Sequence, residues 1–144
     1  MESTDKEIYE KWLLKKYKHW WLYLHTAQYP YIGRCYAAAI RPDADLVTDM
    51  NQEERDELFG QIISEWKNAV NKIIPFDREN LAILWNDWQH LHAHLIPRRQ
   101  NLVVYQNLDF LDPNPHGNYA PYEKQKVSDK VLEQIFSDIS TELT

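Results

Sequence analysis

The stretch that most constrains this chain is "QHLHAHLIPRR", residues 89–99, in which His90, His92 and His94 alternate with Leu91, Ala93 and Leu95. Successive side chains of a β-strand point to opposite faces, so a strand here puts three imidazoles on one side and three apolar groups on the other. On a helix the same spacing would turn each ring roughly 200° from the last and scatter them around the axis. The pattern predicts a strand over 90–96 with one chemical face and one core face, ended by Pro97.

The remaining periodicities supply the elements around that strand. Ile8, Trp12, Leu13 and Tyr17 recur at helical spacing behind a cap at Ser3 or Thr4, with Lys11, Lys15, Lys16 and Lys18 forming a solvated face. Asn51 and Glu54 form a capping-box pattern ahead of the stripe Leu58, Phe59, Ile62, Ile63, Trp66, Val70 and Ile73, a long helix stopped by Pro75. A third helix is expected from Ser128, on Val131, Leu132, Ile135, Phe136 and Ile139. Strands are expected at 20–25, 33–40, 81–85, 90–96 and 102–106, with "NDWQ" making a hairpin of the third and fourth. The reading is one α+β domain over 1–144: a mainly antiparallel five-stranded sheet and a long central helix. Helices flank it at the N-terminus (1–19) and the C-terminus (126–144).

A chain of 144 residues is long enough for a real core. The net charge of −6 argues against a nucleic-acid backbone as partner, although a local basic pocket is compatible with it. Cys35 is the only cysteine, which excludes an internal disulfide and a cysteine-rich zinc site and fits a reducing compartment. With no apolar run of the roughly 20 residues that span a bilayer and a polar start "MESTDKEIYEKW", the expectation is a cytoplasmic protein away from membranes.

Three histidines in five residues make poor core filling, because each buried ring needs partners for both nitrogens. Two chemical readings remain open on the residues alone. Rings on one strand face sit about 6.5–7 Å apart, so two could share a zinc ion with a third ligand. Alternatively, one ring is a nucleophile and its neighbours hydrogen-bond the oxygens of a phosphate.

"HLHAHLIPR" resembles the signature of the histidine triad family, nucleotide hydrolases and transferases in which three histidines alternate with apolar residues ahead of an Ile/Val-Pro-Arg. "IGRCYAAAIRP" at 32–42 is similar to that family's glycine-led strand, and "TDMNQEERDELF" to the start of its long helix. "NLAILWND" and the tail "NYAPY" (118–122) resemble one branch of it, so the likeness covers about residues 20–125. It implies a histidine-triad-like fold. It also implies a nucleotide substrate attacked at its α-phosphorus by the central ring, His92, with His90 and His94 in support and a nucleotidyl-histidine intermediate.

The resemblance further implies phosphate binding by Asn86, whose other reading is a hairpin-turn residue. His25, Thr26 and Gln28 fall where nucleoside contacts are expected, or are structural; Arg98 and Arg99 hold a distal phosphate or flank the strand. Two positions depart from the pattern. Arg34 replaces a frequent histidine with a permanent cation, either a phosphate ligand or a solvated residue, and Trp85 replaces a glycine and narrows the pocket.

His94, where transferase branches carry glutamine, tilts the reading toward a hydrolase acting on dinucleoside polyphosphates or nucleoside phosphoramidates. A nucleotidyltransferase or a noncatalytic nucleotide-binding or interaction module are the alternatives. No cofactor is required and no resident metal is expected, a divalent metal entering only with the substrate. A homodimer is expected, paired through the long helix and a sheet edge, with six tryptophans and nine tyrosines available to the interface.

Overall fold

The computed structural model describes residues 10–84 and 88–143. Five strands, β1 (Leu13–Lys16), β2 (Trp20–Leu24), β3 (Cys35–Ala39), β4 (Arg78–Ala82) and β5 (His92–Arg98), form a sheet in the order β1-β2-β3-β5-β4. Every neighbouring pair is antiparallel. With its helices this is the expected α+β architecture. Among the described residues no helix is long and apolar enough to cross a membrane.

One member of the sheet is not the expected one. The helix read over 1–19 gives way at Leu13 to strand β1, which pairs Leu13 with Tyr23 and then, after a register shift, Lys15 with Leu22. That bulge breaks the two-residue alternation, so Trp12 and Tyr17, an odd number of residues apart, are both buried and no strand period marks the segment. Ser3, Thr4 and Ile8 lie outside the described residues. The segment expected at 102–106 instead forms a separate ribbon of β6 (Val103–Tyr105) and β7 (Leu108–Phe110). Its two-residue turn places Gln106 and Asn107 at positive φ of 52° and 64°, a primed hairpin turn made without the glycine that would have announced it.

The triad strand also differs at both ends. β5 starts at His92, so His90 lies just before it, and it continues through Pro97, which pairs with Glu79. Pro97 is tolerated for a geometric reason. The Ala39 N–H to Leu91 carbonyl bond fixes which residues turn their backbone toward β3, namely 91, 93, 95 and 97. The β3 ladder stops at Cys35 opposite Leu95, so the missing N–H of Pro97 has no strand to serve. β4 begins earlier than the expected 81–85, and the link to β5 runs from 83 to 91, too long for the tight "NDWQ" hairpin. Trp85, Asn86 and Asp87 of that link lie outside the described residues.

Helix α1 covers 52–73: an α-helical start (Gln52–Glu57), a π-turn (Leu58–Ile62) and an α-helical remainder (Ile63–Ile73). Its capping box forms as expected. Asn51 Oδ1 accepts the Glu54 N–H at 2.9 Å, and Glu54 Oε1 accepts the Asn51 N–H at 2.9 Å. Leu58, Ile62, Trp66 and Val70 pack on the sheet, while Phe59, read as part of the stripe, is 53% exposed. Helix α2 (Asp129–Glu142), capped by Ser128, buries Leu132, Ile135 and Ile139 against α1 and β1. Cys35, Ala37, Ala39 and Ala93 leave room for Trp20 and Trp66, whose indoles donate to the carbonyls of Glu54 (2.9 Å) and Gly33 (3.0 Å). Gly33 itself has φ +100°, and a Cβ there would lie 2.6 Å from Val70.

Leu95 is fully enclosed on the core face of β5. Leu95→Ala is expected to cost about 2–5 kcal/mol, read from the urea midpoint at unchanged slope, without moving a residue of the opposite face.

Candidate active site

Strand register lays out the sheet face opposite the core as a grid. Trp21, Ala38 and His92 form one row, and Tyr23, Tyr36 and His94 the next. His25 and Arg34 follow, joined by the His25 N–H to the Arg34 carbonyl at 3.1 Å. The histidines therefore run along β5 toward Arg34. Alternation alone puts them on one face, because Leu91, Ala93 and Leu95 are claimed by the core.

Each ring has a distinct role in the geometry. His92 Nδ1 lies 2.6 Å from the His90 carbonyl, which can only accept, so Nδ1 carries the proton and Nε2 keeps its lone pair. His90 Nε2 donates likewise to the Ala39 carbonyl at 2.6 Å. Trp88 covers both rings, its centroid 4.8 Å from His92 and 5.2 Å from His90. His92 is 6% exposed, and this burial, with the neighbouring His90, holds it below the usual imidazole range although the carbonyl bond opposes the shift. The ring is thus neutral at pH 7.

His94 sits edge-on to His92 at 5.0 Å, with its Nδ1 buried and unpartnered. Burial, then Arg34 and His92, pulls its pKa down to about 4. His25 packs 5.6 Å from His94 and accepts the Ala27 N–H on Nδ1 at 3.0 Å, which places its proton on Nε2. Burial foremost, and Arg34 next, lowers His25 to about 3. Arg34 does not face solvent. It is 4% exposed, its Nη1 donates to the Tyr122 hydroxyl at 2.7 Å, and its Nε has no partner.

Other expected ligands are committed elsewhere. Gln28 is fully buried: its Nε2 donates to the carbonyls of His25 (2.6 Å) and Arg34 (2.8 Å), and its Oε1 accepts the Gly33 N–H (2.7 Å). It ties the β2–β3 loop and has no free group for a nucleoside. Arg98 gives Nε and Nη2 to Asp112 at 2.6 and 3.1 Å, and serves Asn80, Gly117 and Asn114 as well. All five of its N–H groups are used, so it is a structural clamp and not a phosphate ligand. Arg99 is spent on the carbonyls of Ile32, Ile74 and Pro75, the last two just past the C-terminus of α1. Thr26 is exposed beyond the end of β2, and Asn86 lies outside the described residues.

Among the described residues no three histidine, cysteine or carboxylate side chains are placed to hold a metal ion. Two of the triad nitrogens are already turned into carbonyls. Cys35 is buried on the core side, where burial pushes its thiol up and keeps it protonated. The sequence reading missed Tyr36, which touches His25, His92 and His94, and Trp88. Tyr36 could have been found by extending the alternation of 34, 36 and 38 on the neighbouring strand.

Neutral, buried imidazoles make stability depend on pH. Unfolded histidines titrate near 6.5, whereas His25 and His94 do so at about 3 and about 4 in the fold. Between those values the unfolded chain binds more protons, so stability is expected to fall as pH drops from 7 toward 4. Melting temperatures across that range check it, and replacing both rings by glutamine should flatten the slope.

Comparison of the structure with solved proteins returns histidine triad proteins. One from Bradyrhizobium japonicum aligns with a TM-score of 0.71 at 21% identity, covering 100% of this chain and 97% of that one. Another, from Marinobacter aquaeolei, gives 0.71 at 15% identity with 95% and 93% covered. A Plasmodium falciparum diadenosine triphosphate hydrolase gives 0.57 at 11% identity, with 93% and 75% covered. No family model and no curated protein sequence matches the chain. The chain has the histidine triad fold.

Proposed function

We propose that this protein is a nucleotide-binding hydrolase that cleaves at an α-phosphate through a nucleotidyl-histidine intermediate on His92. The observation that carries this reading is the bond from His92 Nδ1–H to the His90 carbonyl, which leaves Nε2 as a neutral nitrogen nucleophile between two further imidazoles. An α-phosphorus meeting Nε2 would form an N–P bond as its bond to the bridging oxygen or nitrogen breaks. The leaving group departs with that electron pair and takes up a proton. Water then attacks phosphorus and gives up a proton, balancing the one the leaving group took from solvent, as the N–P bond breaks and its electrons return to Nε2. In this reading His94 donates to the phosphoryl oxygens where charge accumulates, while His90, whose own ring proton goes to the Ala39 carbonyl, supports His92 through its backbone carbonyl.

Dinucleoside polyphosphates and nucleoside phosphoramidates both offer such a phosphorus, and the fold is shared with a diadenosine triphosphate hydrolase. The test is a rapid acid-free quench with substrates of both classes, followed by peptide mass analysis. One nucleotidyl group on the peptide bearing His92 is the expected result, with oxygen from labelled water in the released nucleotide. Product formed without that label would assign transfer to another acceptor. The absence of both adduct and product across the panel would overturn the proposal.

A further inference from the structure

Arg34 is a buried guanidinium that, among the described residues, has no carboxylate partner. Its Nε is unpartnered, and Tyr119 and Tyr122 pack over it at 5.7 and 5.5 Å. A buried cation without a counter-charge is costly, and an anion brought by a ligand would relieve that cost. Tyr122, whose hydroxyl accepts from the guanidinium, also lines a cleft of about 630 Å³.

The cleft is basic in a chain that is acidic overall. Lys11, Lys124 and Lys126 line it against a single carboxylate, Asp129. Among the described residues Lys124 and Lys126 have no ion-pair partner, and the one ion pair of Lys11 is an exposed 3.5 Å contact with Glu133. The cleft begins where the histidine row ends. Thr26, on its wall, directly follows His25, whose ring touches His94.

We infer that Arg34 and this lysine cleft form one anion track leading away from the triad, which takes an oligophosphate chain, with Tyr122 as the side chain that swings aside to join the two parts. A row of negative groups matches cations that outnumber the carboxylates beside them, and the volume accommodates a chain of several phosphates or a second nucleotide. The role of that chain, as the part of the substrate beyond the α-phosphorus, rests on nucleotidyl transfer at His92; the anion binding does not.

The test is calorimetric titration of the full chain with inorganic tripolyphosphate, orthophosphate and a dinucleoside triphosphate. Tripolyphosphate is expected to bind at least roughly tenfold more tightly than orthophosphate, because it spans several cations. Lys124→Ala combined with Lys126→Ala should erase that preference, and these exposed positions leave the fold intact. Arg34→Lys should weaken tripolyphosphate binding as well, since an ammonium keeps the charge but loses the planar fork. A dinucleoside triphosphate that binds more tightly than tripolyphosphate would place the chain within a nucleotide substrate, and the reverse order would assign the track to free oligophosphate. Equal affinity for the two inorganic anions, or a lysine double variant indistinguishable from wild type, would overturn the inference. His92→Ala should bind tripolyphosphate like wild type, whereas wild-type protein that binds tripolyphosphate but turns over no nucleotide would count against the nucleotidyl reading alone.

Discussion

Substitution of His92 by alanine is expected to lower kcat/KM by roughly 10⁴–10⁶-fold, the scale on which loss of a covalent nucleophile is felt. The protein should remain folded. His92 lies on the face opposite Leu91, Ala93 and Leu95, so the main core is untouched, and the lost packing is confined to Trp88, His94 and Tyr36. His90→Ala and His94→Ala should cost less, about 10²–10³-fold each, because the first loosens the Ala39 and Trp88 contacts beside His92 and the second removes a donor to the developing charge, and neither removes the bond-forming atom. Steady-state kinetics beside near-ultraviolet circular dichroism separates the two effects. A His92→Ala protein within tenfold of wild type would remove His92 from the nucleophile's role. In wild type the depressed His92 pKa should move the acid-side fall of kcat/KM, which comes as Nε2 is protonated, to lower pH than an ordinary imidazole would give.

What could be read from the sequence was what short-range geometry determines. The triad's common face followed from two-residue alternation, and the start of α1 from a capping box whose two bonds span three residues, Asn51 to Glu54. Strand β1 was hidden because its bulge breaks the two-residue alternation, and the β6–β7 turn because Gln106 and Asn107 adopt positive φ without glycine. The roles of the polar residues were not legible. In the sequence Gln28 and Arg34 each read as either a ligand contact or a residue without one, yet the loop's own backbone consumes the first and leaves the second with an open donor. Only the path of the chain decides between them.

Arg98 shows that distinction most sharply and leads to the other large effect. If it bound a distal phosphate, its loss would raise KM and spare stability; the structure reverses both expectations. Asp112→Ala would strand a guanidinium that is 2% exposed, at an expected cost of about 3–5 kcal/mol. Arg98→Met should be comparably damaging, because the carbonyls of Asn114 and Gly117 would lose their donor along with Asp112. The double variant Arg98→Met with Asp112→Leu tests this further. An isolated ion pair can be exchanged for apolar groups at little net cost, but here the two carbonyls would remain unserved, so only part of the loss should return. The clamp also fixes the segment that goes on to place Tyr119 and Tyr122 over Arg34, 5.7 and 5.5 Å away. Urea denaturation reports the stability of each variant, and kcat/KM per folded molecule reports the site. Unchanged midpoints with a raised KM would return Arg98 to the role of a phosphate ligand.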